Sequence, residues 1–217
     1  MLQAAARVQR IVPGAVLVGG TAAAVHARHR ISEDADHTVR DLGRRFDAVL
    51  ARLEALAGWK TARVRKPVLI LGSLDGIEIG VRQLLRRRPL ETRTLRVGGA
   101  RVRVPSAPET LRIKALLVSR RGATRDFLDF VALAEHLGRG AFSALESLDR
   151  LYEPGPSGHT VLQDLLVRLS DPRPVDLDEI SLEDYKGLAA RWRDWRRVAG
   201  FCRDFATSLA DRLLKKS

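Results

Sequence analysis

Cysteine and lysine are scarce in this chain, and long apolar runs are missing. Cys202 is the single cysteine in 217 residues, which excludes an intramolecular disulfide and so a stapled secreted scaffold, and points to a reducing compartment. No apolar run approaches the length that spans a bilayer, and the opening MLQAAARVQRIVPG lacks the apolar stretch of a signal peptide. The expectation is a cytoplasmic protein with no membrane partner. Internal repeats and low-complexity tracts are also absent. What is present is a globular composition, 45% hydrophobic and 29% charged, which rules out disorder, collagen and coiled coil. The length supports one large domain, or one domain with a helical annex.

The formal net charge is +12, and of 38 basic residues only six are lysines. An arginine bias of this size follows from GC-rich codon usage as readily as from function, so position informs more than the total. Eight arginines and one acid lie between Arg82 and Arg103, and nine basic residues face three acids from Lys186 onward. Between these stretches, six acids stand against Arg173 over residues 171–184. Segregation of this kind favours a polyanionic partner over an even excess.

Along the chain, AVLV (15–18) reads as a short buried strand that turns at Gly19-Gly20 into an alanine-rich helix, with Thr21 near its start. ADHTV (35–39) reads as a strand, and apolar residues at 42, 46, 49, 50, 53 and 56 mark an amphipathic helix ended by Gly58. Strands follow at WKTARVR, PVLILGSL and IEIGVRQL, with Asp75-Gly76 as a hairpin turn, then TLRV and RVRV about Gly98-Gly99. From Glu109 the pattern is helical: 109–121, 124–137, 140–151, 159–170 and a long segment over 183–214. The fold class expected is α+β, an N-terminal α/β domain over residues 1–105 followed by a C-terminal helical bundle over 106–217.

Asp34-Ala35-Asp36 places two carboxylates at i and i+2, on one face of a strand, where they can hold a hard cation that shares its shell with phosphates. Such spacings also arise by chance. Gly19-Gly20-Thr21 opens a helix whose N–H groups can receive an anion, and is equally an ordinary strand-to-helix turn. In IEIGV, Glu78 faces away from Ile77 and Ile79; it is simply exposed, or it completes a carboxylate triad with Asp34 and Asp36. His26 and His29 lack the third close ligand of a zinc site, and Trp192 and Trp195 read as core or partner interface rather than base-stacking platforms.

Taken in order, GGTAAAVHARHRISEDADHTV resembles the signature of the DNA polymerase β-like nucleotidyltransferases, in the version carried by AbiEii-type and MenT-type toxins of bacterial toxin–antitoxin systems. Arg30, Ser32, Asp34 and Asp36 match an Arg-x-Ser-x-Asp-x-Asp string. PETLRIKALLVSRR resembles the family helix whose lysine meets the nucleotide phosphates, here Lys114, and TRDFLDFVAL resembles its Asp-x-x-Asp helix, here Asp126 and Asp129. The resemblance covers residues 15 to about 137. It departs at Ala35 and His37, where apolar and larger residues are usual, and at Glu78, where aspartate is at least as usual.

The resemblance implies a mixed sheet with flanking helices and a Mg²⁺-dependent nucleotidyltransferase that adds nucleoside monophosphates from a nucleoside triphosphate to the 3′ end of tRNA, blocking aminoacylation. Asp34, Asp36 and Glu78 would hold one or two Mg²⁺ ions, and Gly19, Gly20, Thr21, Ser32 and Lys114 would meet the nucleotide. Asp126 would orient Lys114 or Arg125. A phosphate on Ser32 would sit where the nucleotide phosphates go, which makes that serine a candidate control point. The tRNA acceptor end and a cognate antitoxin are the implied partners of a monomeric protein, with Arg82, Arg86, Arg87 and Arg88 gripping the acceptor stem or forming a solvated basic edge. Two alternatives stand beside this: the same chemistry on a small molecule or a protein hydroxyl, and a degenerate non-catalytic module that binds nucleic acid or antitoxin.

Overall fold

Apolar residues recur at helical spacing in two N-terminal helices and alternate in the strands between them, and both periods end on one core. The computed structural model describes residues 1–86 and 88–215. They group into two compact units: Met1–Val25 with Ser32–Ser106, and His26–Ile31 with Ala107–Ser217. Among the described residues no helix is long and apolar enough to cross a membrane.

The first unit runs through α1 (Leu2–Ile11), β1 (Val16–Leu17), the start of α2 (Gly19–Ala27), β2 (Ala35–Val39), α3 (Leu42–Glu54), β3 (Trp59–Arg65), β4 (Leu69–Leu74), β5 (Ile77–Gln83), β6 (Thr92–Val97) and β7 (Ala100–Pro105). Five strands form one sheet in the order β1-β2-β5-β4-β3, and β6 pairs with β7 separately. β2 and β5 are parallel; the other pairs are antiparallel. The sheet has a dry face and a wet one. Ala35 and Val39, Ile79 and Val81, and Ile70 and Leu74 are buried together with Phe46, Val49 and Leu53 of α3 and Ala5 and Val8 of α1. Each such Leu, Val or Phe contributes about 1.5–3 kcal/mol on burial. Gly72 is part of this face because Trp59 lies across it: a Cβ there would come within 2.5 Å of the indole. The other face carries Asp36, Gly80 and Leu71 in register across β2, β5 and β4.

The second unit comprises α4 (Ala107–Arg120), α5 (Thr124–Leu137), α6 (Arg139–Leu145), α7 (Leu148–Leu151), α8 (Val161–Ser170) and α9 (Trp195–Leu214), with residues 26–31. A capping box starts α8: Thr160 Oγ1 accepts from the Gln163 N–H at 3.2 Å, and Gln163 Oε1 accepts from the Thr160 N–H at 2.9 Å. The helical period over 183–214 yields a helix only from Trp195. Before it, Gly187 takes φ +63°, two short 3₁₀ turns form at Leu182–Asp184 and Ala190–Trp192, and Asp194 caps α9 through the Arg196 N–H. The single helix expected over 140–151 is divided into α6 and α7. Aromatic rings meet in the interior, Phe127 with Trp195 at 5.8 Å, Phe130 with Phe205 at 5.4 Å and Trp192 with Phe201 at 5.6 Å, so both tryptophans pack against other rings. Cys202 is buried there, its thiol pushed up to about 12 by burial, which makes it a packing group rather than a nucleophile.

Candidate active site

Asp36 is the best-defined acid of the first unit. It lies on β2 opposite Gly80 of β5, and a Cβ on Gly80 would fall 2.2 Å from its Oδ1. On its other flank Gly19, with φ +74°, comes within 3.3 Å of Oδ2 by the same measure. Two glycines therefore leave this carboxylate room that no other residue type would. The turn at Gly19-Gly20-Thr21 is tied to the same strand. The Val18 N–H donates to the Asp36 carbonyl at 2.7 Å, and the Thr21 hydroxyl donates to the Asp34 carbonyl. Thr21 has thus given its one side-chain proton to the backbone beside Asp34. The first turn of α2, with its unbonded N–H groups, begins at Gly19, the neighbour of that carboxylate.

Glu78 precedes Ile79, the partner of Ala35, and lies two residues before Gly80; it shares the wet face with Asp36 and is exposed. Asp34 is exposed just outside β2, and Ser32 is half-buried ahead of it. Asp36 and Glu78 thus belong to one side of the sheet, with Asp34 just ahead of β2. Among the described residues, however, no three His, Cys, Asp or Glu side chains converge as a metal-binding group. The donors are all carboxylate oxygens, the type a hard divalent cation takes. Arg82, on the same face, has its Nε 3.6 Å from Asp36 Oδ1. Behind the site on the dry face, His37 is buried with no hydrogen-bond partner on either ring nitrogen. Burial pushes it down to about 4, against the opposing pull of the Ala35 backbone.

Of the other arginines expected near the cleft, Arg86 is buried, and its guanidinium donates to the carbonyls of Arg88 at 3.0 Å and Pro89 at 2.8 Å. Arg87 lies outside the described residues.

In the second unit, Lys114 and Asp126 are buried, and Asp129 joins them. Lys114 Nζ is 2.6 Å from Asp129 Oδ2 and 3.4 Å from Asp126 Oδ1. Asp129 also accepts from Arg30 Nε at 2.7 Å and Nη2 at 3.0 Å and meets His29 Nε2 at 2.8 Å. Burial pushes its carboxyl up, but the Lys114 and Arg30 charges and the bonds from His29 and Arg30 outweigh it and hold it well below the usual carboxylate range. Of the two partners expected for Asp126, Lys114 or Arg125, it is Lys114 that lies beside it, and the arginine that donates to it is Arg121, from Nε and Nη2, both at 2.7 Å. Sequence reasoning missed the roles of His29, Arg30 and Arg121. The signal was the i, i+3 spacing of Asp126 and Asp129, which puts both on one side of α5 and demands several cations to satisfy two buried anions.

The mycolic acid-containing lipids exporter MmpL11 of Mycolicibacterium smegmatis is 32% identical over 129 residues, 58% of this chain and 13% of that protein. The heme uptake protein MmpL11 of Mycobacterium tuberculosis is 33% identical over 115 residues, 52% of this chain. The chain spans only 13% and 12% of the length of these curated relatives. Among solved structures, a candidate nucleotidyltransferase from H. pylori superposes with a TM-score of 0.51 at 18% identity, covering 100% of this chain and 95% of that one, a likeness of fold. The sequence model of the nucleotidyl transferase AbiEii toxin family, of type IV toxin–antitoxin systems, matches residues 10–214, and the chain belongs to that family.

Proposed function

We propose that the protein transfers a nucleoside monophosphate from a nucleoside triphosphate to the 3′ end of tRNA, with an antitoxin as its cellular counterpart. The observation that carries this reading is the placement of Asp36 between Gly19 and Gly80, with Glu78 on the same face and the N-terminus of α2 alongside. Asp34, Asp36 and Glu78 would hold one or two Mg²⁺ ions, which when bound neutralise phosphate charge and lower the pKa of the attacking hydroxyl. The amides of Gly19, Gly20 and Thr21 receive phosphate oxygens, and the Thr21 hydroxyl fixes the backbone at Asp34. Ser32 lies two residues before Asp34 and adds a hydroxyl donor. Lys114 has three N–H donors, and with Asp129 and Asp126 as neighbours one remains for a phosphate oxygen; Asp126 fixes the direction of the ammonium. In the reaction, the acceptor hydroxyl oxygen bonds to the α-phosphorus as the bond to pyrophosphate breaks. Glu78 takes the hydroxyl proton. Catalysis is then positioning and charge neutralisation.

Two observations favour a second reading, a binding-only module: Arg82 already sits beside Asp36, and the three acids do not converge. Labelled nucleotides and total tRNA decide between them. Wild-type protein should label tRNA only with Mg²⁺ present, while Asp36→Ala and Lys114→Ala each lower incorporation on the order of 10²–10³-fold. Incorporation that survives both changes rejects the site assignment, and none from the wild type favours the binding module.

A further inference from the structure

The wet face of the five-stranded sheet does not end at the carboxylates. From β2 it continues over Gly80 and Arg82 of β5 and Leu69, Leu71 and Ser73 of β4 to the edge strand β3. In register with Ser73, Leu71 and Leu69 are Lys60, Arg63 and Arg65. Residues paired in register share a face, so three cations stand in a row on the side that carries Asp36. Three strand spacings of ~4.8 Å put them about 14 Å from β2.

That row depends on an irregularity. The register shifts between Thr61 and Arg63, which leaves Ala62 as an extra residue. In a regular strand, Lys60 would share its face with Ala62 and Val64, and Arg63 and Arg65 would point with Trp59 toward the core side. The bulge moves both arginines to the side of Lys60. A charged edge that merely discourages strand pairing needs no such sorting, since charge on either face suffices. Lys60, Arg63 and Arg65 are exposed, and no acid pairs with them among the described residues. The nearby Lys66 is engaged with Asp47, and Glu54 is bonded to Thr61 on the opposite face.

We infer that β3 is an acceptor rail, in which Lys60, Arg63 and Arg65 hold the phosphate backbone of single-stranded RNA leading across β4 to the carboxylate face. The inference rests on the nucleotidyl-transfer reading and specifies how its acceptor is held. Guanidinium forks match phosphate oxygens in pairs, and half-buried Leu69 and Leu71 between the rail and Asp36 offer an apolar floor for ribose and base. A cationic small-molecule acceptor would meet repulsion along the same path.

The test is equilibrium binding of a fluorescein-labelled RNA hairpin with a single-stranded 3′ overhang, across a salt series, with parallel steady-state transfer assays. Arg63→Gln/Arg65→Gln should weaken binding at least tenfold and lower the slope of log K against log salt by about 1.4, which is two single-strand phosphate contacts. It should raise KM for RNA and leave KM for the nucleotide unchanged. Arg63→Lys/Arg65→Lys should recover most of the salt slope. Arg139→Gln/Arg150→Gln, an equal loss of exposed charge in the helical unit, should keep wild-type binding. The rail is overturned if the β3 variant keeps the wild-type slope and KM, or if the control loses as much. If the wild type transfers nothing with any of the four triphosphates, the catalytic reading fails while the binding series still decides the rail.

Discussion

The two units treat aspartate in opposite ways. In the first, Asp34 and Asp36 stand on a strand and its approach, exposed or half-exposed, with the Asp36 carboxylate seated against two glycines. In the second, Asp126 and Asp129 are wholly buried on a helix, with Lys114, Arg30, Arg121 and His29 around them. A carboxylate with room and few partners is suited to a ligand that comes and goes. A carboxylate with every lone pair taken in a dry interior is suited to holding helices and a loop in place. The contrast also appears among the described basic residues, without an acid partner along β3 and paired with one around Asp129.

Three changes would break or sharpen this contrast. The largest effect should come from Asp129→Ala, which strands Lys114 and Arg30 without their shared anion; denaturant unfolding should show a loss of about 3–5 kcal/mol. In the wild type the depressed Asp129 pKa keeps this contribution present above the ordinary aspartate range, near pH 4, and it is lost only as pH falls toward the folded value. If Asp129→Ala unfolds like the wild type, the buried cluster is not what secures the second unit.

His37 is the first unit's counterexample, a buried polar ring without partners. Between pH 6.5 and about 4 the unfolded chain takes up a proton that the folded chain refuses, so stability should fall as pH drops through that window, by roughly 3 kcal/mol. His37→Leu should flatten the dependence, and an unchanged slope in thermal melts at pH 4.5 and 7 would show that the acid sensitivity arises elsewhere. The smallest effect should be Gly80→Ala. The added methyl displaces the Asp36 carboxylate, which should cost about 10² in transfer rate, with Tm near wild type. Full activity in that variant would mean that the seat of Asp36 against Gly80 does not matter to transfer.

Local signals carried much of the architecture. The Gly19-Gly20 turn, the strand at Ala35–Val39, the Asp75-Gly76 hairpin and helix α5 at Thr124–Leu137 are each encoded within a dozen residues, by turn chemistry or by apolar period. The wet placement of Glu78 was legible too, since isoleucines on both sides fix the alternation. The insertion of β5 between β2 and β4 was not, because strand order depends on contacts far apart in the chain. The bulge at Ala62 was equally hidden: Thr61-Ala62-Arg63 contains no glycine or proline to announce it. Lys114 carried a motif that says lysine but not how deeply it is set, and its burial follows from anions on the next helix. The failed start of the last helix follows from Gly187, whose positive φ ends a period that the apolar residues alone would continue.

Residues 26–31 have a consequence for dissecting the molecule. This segment lies between α2 and β2 in the chain, yet it groups with the helices, where the Ala189 N–H reaches the His29 carbonyl and the Ile31 N–H reaches the Lys186 carbonyl, both at 2.7 Å. A cut after Ser106 would therefore not release two self-sufficient modules. The C-terminal fragment would keep Asp129 with Lys114 but lose His29 and Arg30, and its partner fragment would carry both residues with nothing to bind. Co-expressed fragments should reassemble only by returning that hexapeptide to its place, so this protein is better inherited, truncated or swapped as one piece.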